Sequence, residues 1–319
     1  MNRRSLGLWV AALLLSPLAQ AGSPPAIVPN QGSGTLTLID TATDQVLRTL
    51  PESGKLGAKI QAVVADRRGR QAFVVDADAN TLIQVDLASG RVLARLEVGH
   101  GPEGASMSPS GKLIAVCVED DNAVVLVDPA GVKPMRRFDT QGKNPEHCAF
   151  SGDSRLLMTS NENTNDVDVI DIAAGRSVAR IATGGHPRGI AWLAGRHVAY
   201  VAQETAGGVD VIDADRRQVL RTIKTGLRPA GAIASHDGKR VFVTNGGDGT
   251  VSVIDTGNDK ILATIAVGKR PWNMALTRDG RKLLVANGRS NSVSVIDTLA
   301  LKVRAEIAVG ALPWGVTIP

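Results

Sequence analysis

One phrase recurs seven times along this chain, and the repeat constrains its fold more than any other feature. The most regular copy, NGGDGTVSVIDTGNDKILATIAVGKRPWNMALTRDGRKLLVANG, occupies residues 245–288. An aspartate closes the VSVID-like run of each copy, at Asp40, Asp86, Asp128, Asp171, Asp213, Asp255 and Asp297. The intervals are 42 or 43 residues after a first interval of 46. A glycine marks the crossing that follows, at Gly57, Gly99, Gly142, Gly184, Gly226, Gly268 and Gly310. Such regularity indicates similar units packed side by side.

Each copy contains four short runs rich in β-branched residues, separated by Gly, Asp or Asn turns. In the copy above the runs are VSVID, KILATI, NMALT and KLLVAN. Short runs bounded by turn residues are typical of antiparallel strands, and the frequent turn residues leave no room for helices. A four-stranded repeat of this length matches the blade of a β-propeller. We therefore predict an all-β, seven-bladed β-propeller of four-stranded antiparallel blades.

The two ends of the chain predict how the ring closes. The seventh copy stops at PWGVTIP, residues 313–319, before its KLLVAN-like run. The missing run lies at the other end as AIVPN, residues 26–30, and Asn30 precedes Asp40 by the same interval that separates Asn245 from Asp255. We expect N-terminal strands to pair with a C-terminal innermost strand in one composite blade. This closure leaves no sheet edge exposed.

Residues 1–21 have the pattern of a cleavable secretory signal peptide. Two arginines precede an apolar stretch at 6–18, and Ala-Gln-Ala at 19–21 forms a cleavage motif. The apolar stretch is short and interrupted by Ser-Pro, which disfavours an uncleaved membrane anchor. We expect export to the periplasm by the Sec or the Tat route. Residues 22–319 then form a single monomeric propeller domain without a membrane span.

The charge balance gives little support for a nucleic-acid partner. The formal net charge is +5, and two of the arginines lie in the signal segment. No run of Lys and Arg with interleaved aromatic residues is present, whereas binders of single-stranded nucleic acid use such runs. We therefore expect no nucleic-acid partner.

The phrases VFVTNGGDGTVSVID and LLVANGRSNSVSVID resemble the YVTN family of β-propeller repeats over residues 26–319. A narrower resemblance lies in GKRPWNMALTRDG and GALPWGV, which are similar to the propeller associated with PQQ-dependent catabolism. That resemblance implies a non-catalytic periplasmic protein that accompanies quinoprotein alcohol dehydrogenases. The turns SPSG, SGDS and LAG depart from the Ser-Pro-Asp-Gly of the family. These departures leave the fold prediction intact.

In a propeller, the crossing loop and the start of the innermost strand line one mouth of the central channel. Cationic and aromatic residues collect there in this sequence. The candidate ligand-binding residues are Lys143, His147, His186, Arg188, Arg228, Arg270, Trp272 and Trp314. Cations with two indoles suit a planar, polyanionic ligand, which charge attracts and stacking holds. The alternative is a solvated rim whose cations are neutralised by acidic residues of the same loops: Glu103, Glu119, Asp120, Glu146, Glu162 and Glu204. The two tryptophans then serve as packing plugs in the channel.

Other chemical signals are weaker. His147, His186 and Glu146 lie near the mouth, but they lack a local spacing that fixes metal geometry, so we assign no metal site. Cys117 and Cys148 both lie in apolar runs, which favours two buried free thiols over a disulfide, although an exported protein could form one. The chain lacks CxxCH, HExxH and GxSxG motifs, and we assign no catalytic residue.

These observations favour a non-catalytic periplasmic propeller that binds a partner protein or a small anionic ligand at the channel mouth. The narrower resemblance implies a role accessory to quinoprotein alcohol oxidation. It also implies PQQ as a ligand, no required cofactor, and a quinoprotein dehydrogenase or a cytochrome as the partner. One alternative is a lactonase-like hydrolase with a metal at the channel mouth. Another is a scaffold or nucleic-acid-binding propeller whose affinity falls steeply with salt.

Overall fold

The computed structural model describes residues 24–193 and 195–319, in which the turn-punctuated apolar runs form strands. This described part contains 27 strands and one short 3-10 helix, Glu162–Thr164. No helix within it has the length and apolar character needed to cross a lipid bilayer. The predicted signal peptide, residues 1–21, lies outside the described residues.

Six blades are complete antiparallel sheets of four consecutive strands, and the first strand of each is innermost. Blade 1 contains β4 (Ile60–Ala65), β5 (Gln71–Asp76), β6 (Thr81–Asp86) and β7 (Val92–Glu97). Blade 2 contains β8 (Pro102–Met107), β9 (Ile114–Val118), β10 (Ala123–Asp128) and β11 (Lys133–Asp139). Blade 3 contains β12 (Pro145–Phe150), β13 (Leu156–Asn161), β14 (Asp166–Asp171) and β15 (Arg176–Ala182).

The next three blades repeat this order. Blade 4 contains β16 (Pro187–Trp192), β17 (Val198–Gln203), β18 (Gly208–Asp213) and β19 (Gln218–Lys224). Blade 5 contains β20 (Pro229–Ala234), β21 (Arg240–Asn245), β22 (Thr250–Asp255) and β23 (Lys260–Ala266). Blade 6 contains β24 (Pro271–Leu276), β25 (Lys282–Asn287), β26 (Ser292–Asp297) and β27 (Lys302–Ala308).

Blade 7 is composite, which confirms the predicted closure. Its sheet contains β1 (Ala26–Asn30), β2 (Thr35–Asp40) and β3 (Gln45–Leu50). The C-terminal segment lies beside β1, where Ile27 bridges Thr317 and Asn30 bridges Pro313. Ile27 and Thr317 exchange two backbone hydrogen bonds of 2.9 Å. The first and last segments of the described residues are therefore held in one blade, and the fold is the predicted seven-bladed propeller.

The hydrophobic core lies between neighbouring blades. The second and third strands of blade 5 are buried almost throughout, whereas its outermost strand β23 is largely exposed. One cluster joins Tyr200 and Val211 of blade 4 to Val241 and Ile254 of blade 5. Strands buried on both faces explain why the VSVID-like runs are apolar at nearly every position. Burial of this apolar area between blades stabilises the ring.

In several blades, an asparagine at the end of the second strand holds neighbouring segments together by hydrogen bonds. Its position also explains the glycine that recurs at the crossing. In blade 5, Asn245 Nδ2 donates to Thr250 Oγ1 and Ser252 Oγ, each at 2.9 Å. Asn245 Oδ1 accepts the backbone N–H of Gly226 at 3.0 Å, which fixes the crossing loop to the blade that it enters. A Cβ atom at Gly226 would lie only 2.7 Å from Asn245 Cγ. Glycine is required there because the loop and the asparagine approach so closely.

Three candidate site residues have a left-handed backbone directly before the proline that begins an innermost strand. The φ angle is 55° at His186, 53° at Arg228 and 52° at Arg270. This conformation is uncommon for residues other than glycine. Asn165 Oδ1 of the preceding blade accepts the N–H of His186 at 2.8 Å, which helps to hold it. The crossing loops therefore place these side chains at a fixed level of the channel.

Candidate functional site

We define the channel mouth as the side chains at two equivalent positions in each blade. The first is the residue after the crossing proline, whose place is taken by Ile60 in blade 1: Gln61, Glu103, Glu146, Arg188, Ala230, Trp272 and Trp314. The second follows the second strand: Gln31, Ala77, Glu119, Glu162, Glu204, Gly246 and Gly288. Every residue of the second set donates its N–H to the carbonyl of the residue before the crossing proline, at 2.8–3.0 Å. The repeat therefore brings fourteen side-chain positions to one end of the channel.

These positions divide the mouth into two chemically different halves. Blades 2, 3 and 4 supply the acidic half, which contains Glu103, Glu119, Glu146, Glu162, Glu204 and the single cation Arg188. Blades 6 and 7 supply the aromatic half, which contains Trp272 and Trp314. At both mouth positions blade 5 has small residues, Ala230 and Gly246.

Arg188 lies at the centre of the acidic half. Its Nη1 donates to Glu162 Oε1 and to Glu204 Oε2, each at 2.7 Å, and its Nη2 donates to Glu146 Oε1. Burial alone would lower the pKa of Arg188, but the surrounding carboxylates raise that pKa above its usual value. The guanidinium therefore stays charged and links the innermost strands of blades 3 and 4.

Glu204 connects Arg188 to the two arginines of the following blades. Its Oε1 accepts a hydrogen bond from Arg228 Nε at 2.8 Å and from Arg270 Nη2 at 3.0 Å. Burial favours a protonated carboxyl, yet the guanidiniums of Arg188, Arg270 and Arg228 outweigh it and lower the pKa of Glu204 to about 2. Three of the predicted cationic residues thus converge on one carboxylate that no sequence motif marks.

Among the described residues, Glu103 and Glu119 have no arginine partner, and Glu146 has only Arg188. Burial and the neighbouring Glu103 raise the pKa of Glu119 to about 8. Burial also raises the pKa of Glu146 well above its usual range, and the attraction of Arg188 only partly opposes this shift. One carboxylate oxygen each of Glu103, Glu119 and Glu146 lies within 4.8 Å of the others. These three residues form a crowded cluster that favours bound protons or a bound cation.

His147 and Trp314 meet across the channel. Their rings stack with centroids 5.5 Å apart and an interplanar angle of 16°. Both residues line a cavity of about 250 Å³, whose other lining residues belong to blades 1, 2, 3, 6 and 7. Burial, followed by the charge of Arg188, lowers the pKa of His147 to about 4, so the imidazole is neutral at pH 7. Neither ring nitrogen has a hydrogen-bond partner among the described residues.

Trp272 lies against a glycine in the aromatic half. A Cβ atom at Gly288 would lie 2.7 Å from Trp272 Cε3, so any larger residue there would displace the indole. Arg270 is 11% exposed, and its Nη1 has no hydrogen-bond partner among the described residues. This half therefore presents two indoles together with a buried donor of a guanidinium group.

The structure brings together most of the predicted site residues. Arg188, Arg228 and Arg270 meet at Glu204, and His147 stacks on Trp314. His186 Nδ1 lies 3.4 Å from Glu162 Oε1, at the edge of the same network. Lys143 is exposed on its crossing loop and makes no ion pair with another described residue. Both cysteines, Cys117 and Cys148, are buried and free.

The sequence pattern indicates the glutamates as partners of the rim cations, and Glu146 also as a possible metal ligand with His147 and His186. The described carboxylates group differently. One group is Glu162, His186 and Glu204, and the other is Glu103, Glu119 and Glu146. The signal that identifies them is the repeat register, because each glutamate occupies one of the two equivalent mouth positions.

Comparisons with solved structures agree with the fold. A functionally unknown protein from Desulfotomaculum acetoxidans superposes with a TM-score of 0.80 at 17% identity, over 93% of this chain and 99% of that one. Kuenenia stuttgartiensis hydrazine synthase has a TM-score of 0.71 at 19% identity, over 79% of this chain and 87% of its own. Dihydro-heme d1 dehydrogenase NirN, in complex with DHE, has a TM-score of 0.69 at 19% identity, over 92% and 75%. At these identities the likeness shows the fold alone.

Sequence comparisons assign the chain to a family. The Cytochrome D1 heme domain profile matches residues 193–314, and the YNCE-like β-propeller profile matches residues 54–240, more than half of the chain. The uncharacterized protein YncE of Salmonella typhimurium is 26% identical over 166 residues. That match spans 49% of this chain and 46% of the relative, less than half of its length. The narrower resemblance to a PQQ-associated propeller stays a prediction. The chain belongs to the YNCE-like β-propeller family.

Proposed function

We propose that this protein is a non-catalytic binding propeller of the periplasm whose channel mouth holds a planar ring compound bearing carboxylates. One observation carries the proposal: Arg270 Nη1 is buried without a partner among the described residues, in the part of the mouth that also presents two indoles. A buried guanidinium donor without an acceptor is unfavourable, and a ligand carboxylate would satisfy it.

The shape and charge of the aromatic half support a flat anionic ligand. Trp272 is partly buried and offers a surface for stacking beside Gly288, where no side chain intervenes. Arg228 is 58% exposed and can rotate toward a ligand at the rim, because Glu204 would keep Arg188 and Arg270 as partners. Aromatic surface with a few convergent polar donors is the usual composition of small-molecule sites.

Two observations each suggest a compound with such a ring. The resemblance of GKRPWNMALTRDG and GALPWGV suggests PQQ, a planar quinone with several carboxylates. The Cytochrome D1 heme domain profile suggests a haem-type ring, because its span of residues 193–314 includes Glu204, Arg228, Arg270, Trp272 and Trp314. NirN, a structural neighbour, is described as bound to DHE. Either ring would make the partner a periplasmic protein that uses the same cofactor, such as a quinoprotein dehydrogenase or a cytochrome.

Titration of the purified mature protein with PQQ and, separately, with a haem-type ring tests this function. A ligand at about 100 times its Kd stabilises a folded protein by about 2.7 kcal/mol, which thermal unfolding detects easily. We expect saturable stabilisation by one of the two compounds, and the compound that acts identifies the source. The effect should be lost in Arg270→Ala and Trp272→Ala, and retained in Arg281→Ala, whose exposed side chain lies in a turn away from the mouth.

The unliganded unfolding curve of each variant separates loss of binding from loss of folding. A variant that unfolds cooperatively near the wild-type temperature and fails to respond to the ring has lost the site. Absence of a saturable response to both compounds in the wild-type protein would overturn the proposal.

A further inference from the structure

We propose that Glu103, Glu119 and Glu146 bind a divalent cation in the acidic half of the channel mouth. The site is separate from the proposed ring compound and needs no second ligand. Glu103 and Glu119 come from blade 2, and Glu146 comes from the innermost strand of blade 3. The cation site is therefore formed by both mouth positions of blade 2 and the first mouth position of blade 3.

The spacing of the three carboxylates suits a cation. One oxygen from each side chain lies within 4.8 Å of the others. Oxygen ligands bind Ca²⁺ at about 2.3–2.6 Å, so two of them on the same ion are separated by at most about 5 Å. The observed oxygens lie within that limit, and one ion can contact all three.

An unpartnered oxygen supplies an observation beyond the presence of the acidic cluster. Glu146 is 1% exposed, and its Oε1 binds Arg188 Nη2. Its Oε2 is buried without a hydrogen-bond partner among the described residues. A buried carboxylate oxygen without a donor or a cation is costly. Glu146 is one of the three carboxylates of this cluster, and a cation held among them would compensate its buried charge.

Charge compensation distinguishes this cluster from the second acidic group of the mouth. Glu162 and Glu204 already bind Arg188, and Glu204 also binds Arg228 and Arg270. Among residues 24–193 and 195–319, neither Glu103 nor Glu119 forms an ion pair. The cation therefore belongs with Glu103, Glu119 and Glu146, a group of three carboxylates whose one arginine partner is the Arg188 that Glu146 shares with Glu162 and Glu204.

The donor set defines the class of cation. Three carboxylates without a thiolate favour the hard ions Ca²⁺, Mg²⁺ and Mn²⁺ over ions that prefer sulphur ligands. Water molecules from the open side of the mouth can complete the coordination shell. Ca²⁺ tolerates irregular oxygen geometry better than Mg²⁺, so we expect the tightest binding with Ca²⁺.

Calorimetric titration of EDTA-treated mature protein with CaCl₂, MgCl₂ and MnCl₂, without any ring compound, tests the site. We expect one saturable site, and at about 100 times Kd a rise in Tm of about 5 °C. The test variant is Glu119→Gln, which removes one ligand charge while keeping the size of the side chain. The matched control is Glu97→Gln, an equivalent change of an exposed residue on β7.

We expect two effects of Glu119→Gln. Replacement of a glutamate with only a structural role would not produce both of them. In EDTA the variant should unfold at a higher temperature than wild type, because one of the repelling carboxylates is gone. The response to the cation should fall at least tenfold in affinity, while Glu97→Gln keeps the wild-type response. Glu103→Gln should behave in the same way as Glu119→Gln.

Two results would overturn the proposal. One is the absence of saturable binding of all three cations to the wild-type protein at millimolar concentration. The other is an unchanged cation affinity in both Glu119→Gln and Glu103→Gln. Because no ring compound is present, failure of the cation site leaves the proposed ring site untouched, and failure of the ring titration leaves this site untouched.

Discussion

The imidazole of His147 stacks on the indole of Trp314, with ring centroids 5.5 Å apart and an angle of 16° between their planes. The two residues belong to blade 3 and to the composite blade 7, so their contact spans the channel. Trp314 also belongs to the hydrophobic cluster that contains Ala62 and Phe73 of blade 1. The stacked pair therefore joins blades that share no sheet.

Replacement of Trp314 should therefore destabilise the whole ring. Trp314 is 9% exposed, and truncation of a buried Trp to Ala typically costs about 3–5 kcal/mol because a cavity remains. We expect a loss of about 3 kcal/mol in the free energy of unfolding of Trp314→Ala, measured by urea denaturation. Leu299→Ala is the control, since Leu299 is 73% exposed and should change stability little. Equal stability of the two variants would mean that the indole contributes no packing.

Removal of Arg188 should destabilise the folded protein, because the negative charge of the neighbouring carboxylates is then no longer compensated. Its guanidinium contacts Glu146, Glu162 and Glu204, and Arg188→Met would leave buried carboxylates without their main partner. Breaking a buried ion pair on one side typically costs about 3–5 kcal/mol. We expect a loss in this range, part of which Glu146→Gln restores in the double variant. Additive effects of the two substitutions in urea denaturation would contradict this coupling.

The arginine network also predicts an acid-dependent contribution to stability from Glu204. Its pKa in the folded protein is lowered to about 2 from the ordinary 4.5, so the folded state holds the ionised form. This contribution is fully present above pH 4.5 and is lost as the pH falls toward 2. The stability difference between wild type and Glu204→Gln should shrink over that interval when unfolding is followed at a series of pH values. A difference that stays constant from pH 6 to pH 2.5 would exclude an ionised Glu204 as its source.

At the opposite end of the molecule, His197 links blades 3 and 4 with the reverse pH dependence. Its Nδ1 lies 2.9 Å from Asp215 Oδ1, and its Nε2 lies 3.1 Å from Asp153 Oδ2. Hydrogen bonds to Asp215 and then Asp153 raise the pKa of His197, so its stabilising charge is fully present below the ordinary 6.5 and is lost as the pH rises through the raised value. We expect His197→Asn to cost less than about 1 kcal/mol at pH 6, since the pair is partly solvated. The difference from wild type should disappear at pH 9; a difference unchanged between these pH values would refute the charged link.

The sequence predicted the blades well because a periodic constraint repeats seven times. The intervals between Asp213, Asp255 and Asp297 give the blade length, and the phrase around Asn30 predicts the composite blade. The pairing of Arg188 with carboxylates of blades 3 and 4 depends on the positions that face each other across a blade boundary. The composition of the loops does not show which positions face each other.

Two further features escaped prediction for physical reasons. The left-handed backbone of His186, Arg228 and Arg270 precedes proline, where residue preferences favour extended conformations. The raised pKa of Glu119 depends on burial beside Glu103, which only the folded ring creates. Charge counting by itself therefore suggested a cationic rim, whereas the mouth has separate acidic and aromatic halves.

Tryptophan fluorescence of a Trp192→Phe variant tests most directly whether the mouth binds a ring compound. Trp192 belongs to the innermost strand of blade 4, where its Nε1 donates to Ala149 O, and with it replaced the tryptophans of the described residues are Trp272 and Trp314. Titration of the mature variant with PQQ or a haem-type ring should quench this fluorescence saturably, and Arg270→Ala in the same background should abolish the quenching. Fluorescence that neither compound quenches saturably would contradict the central claim that the channel mouth is the binding site.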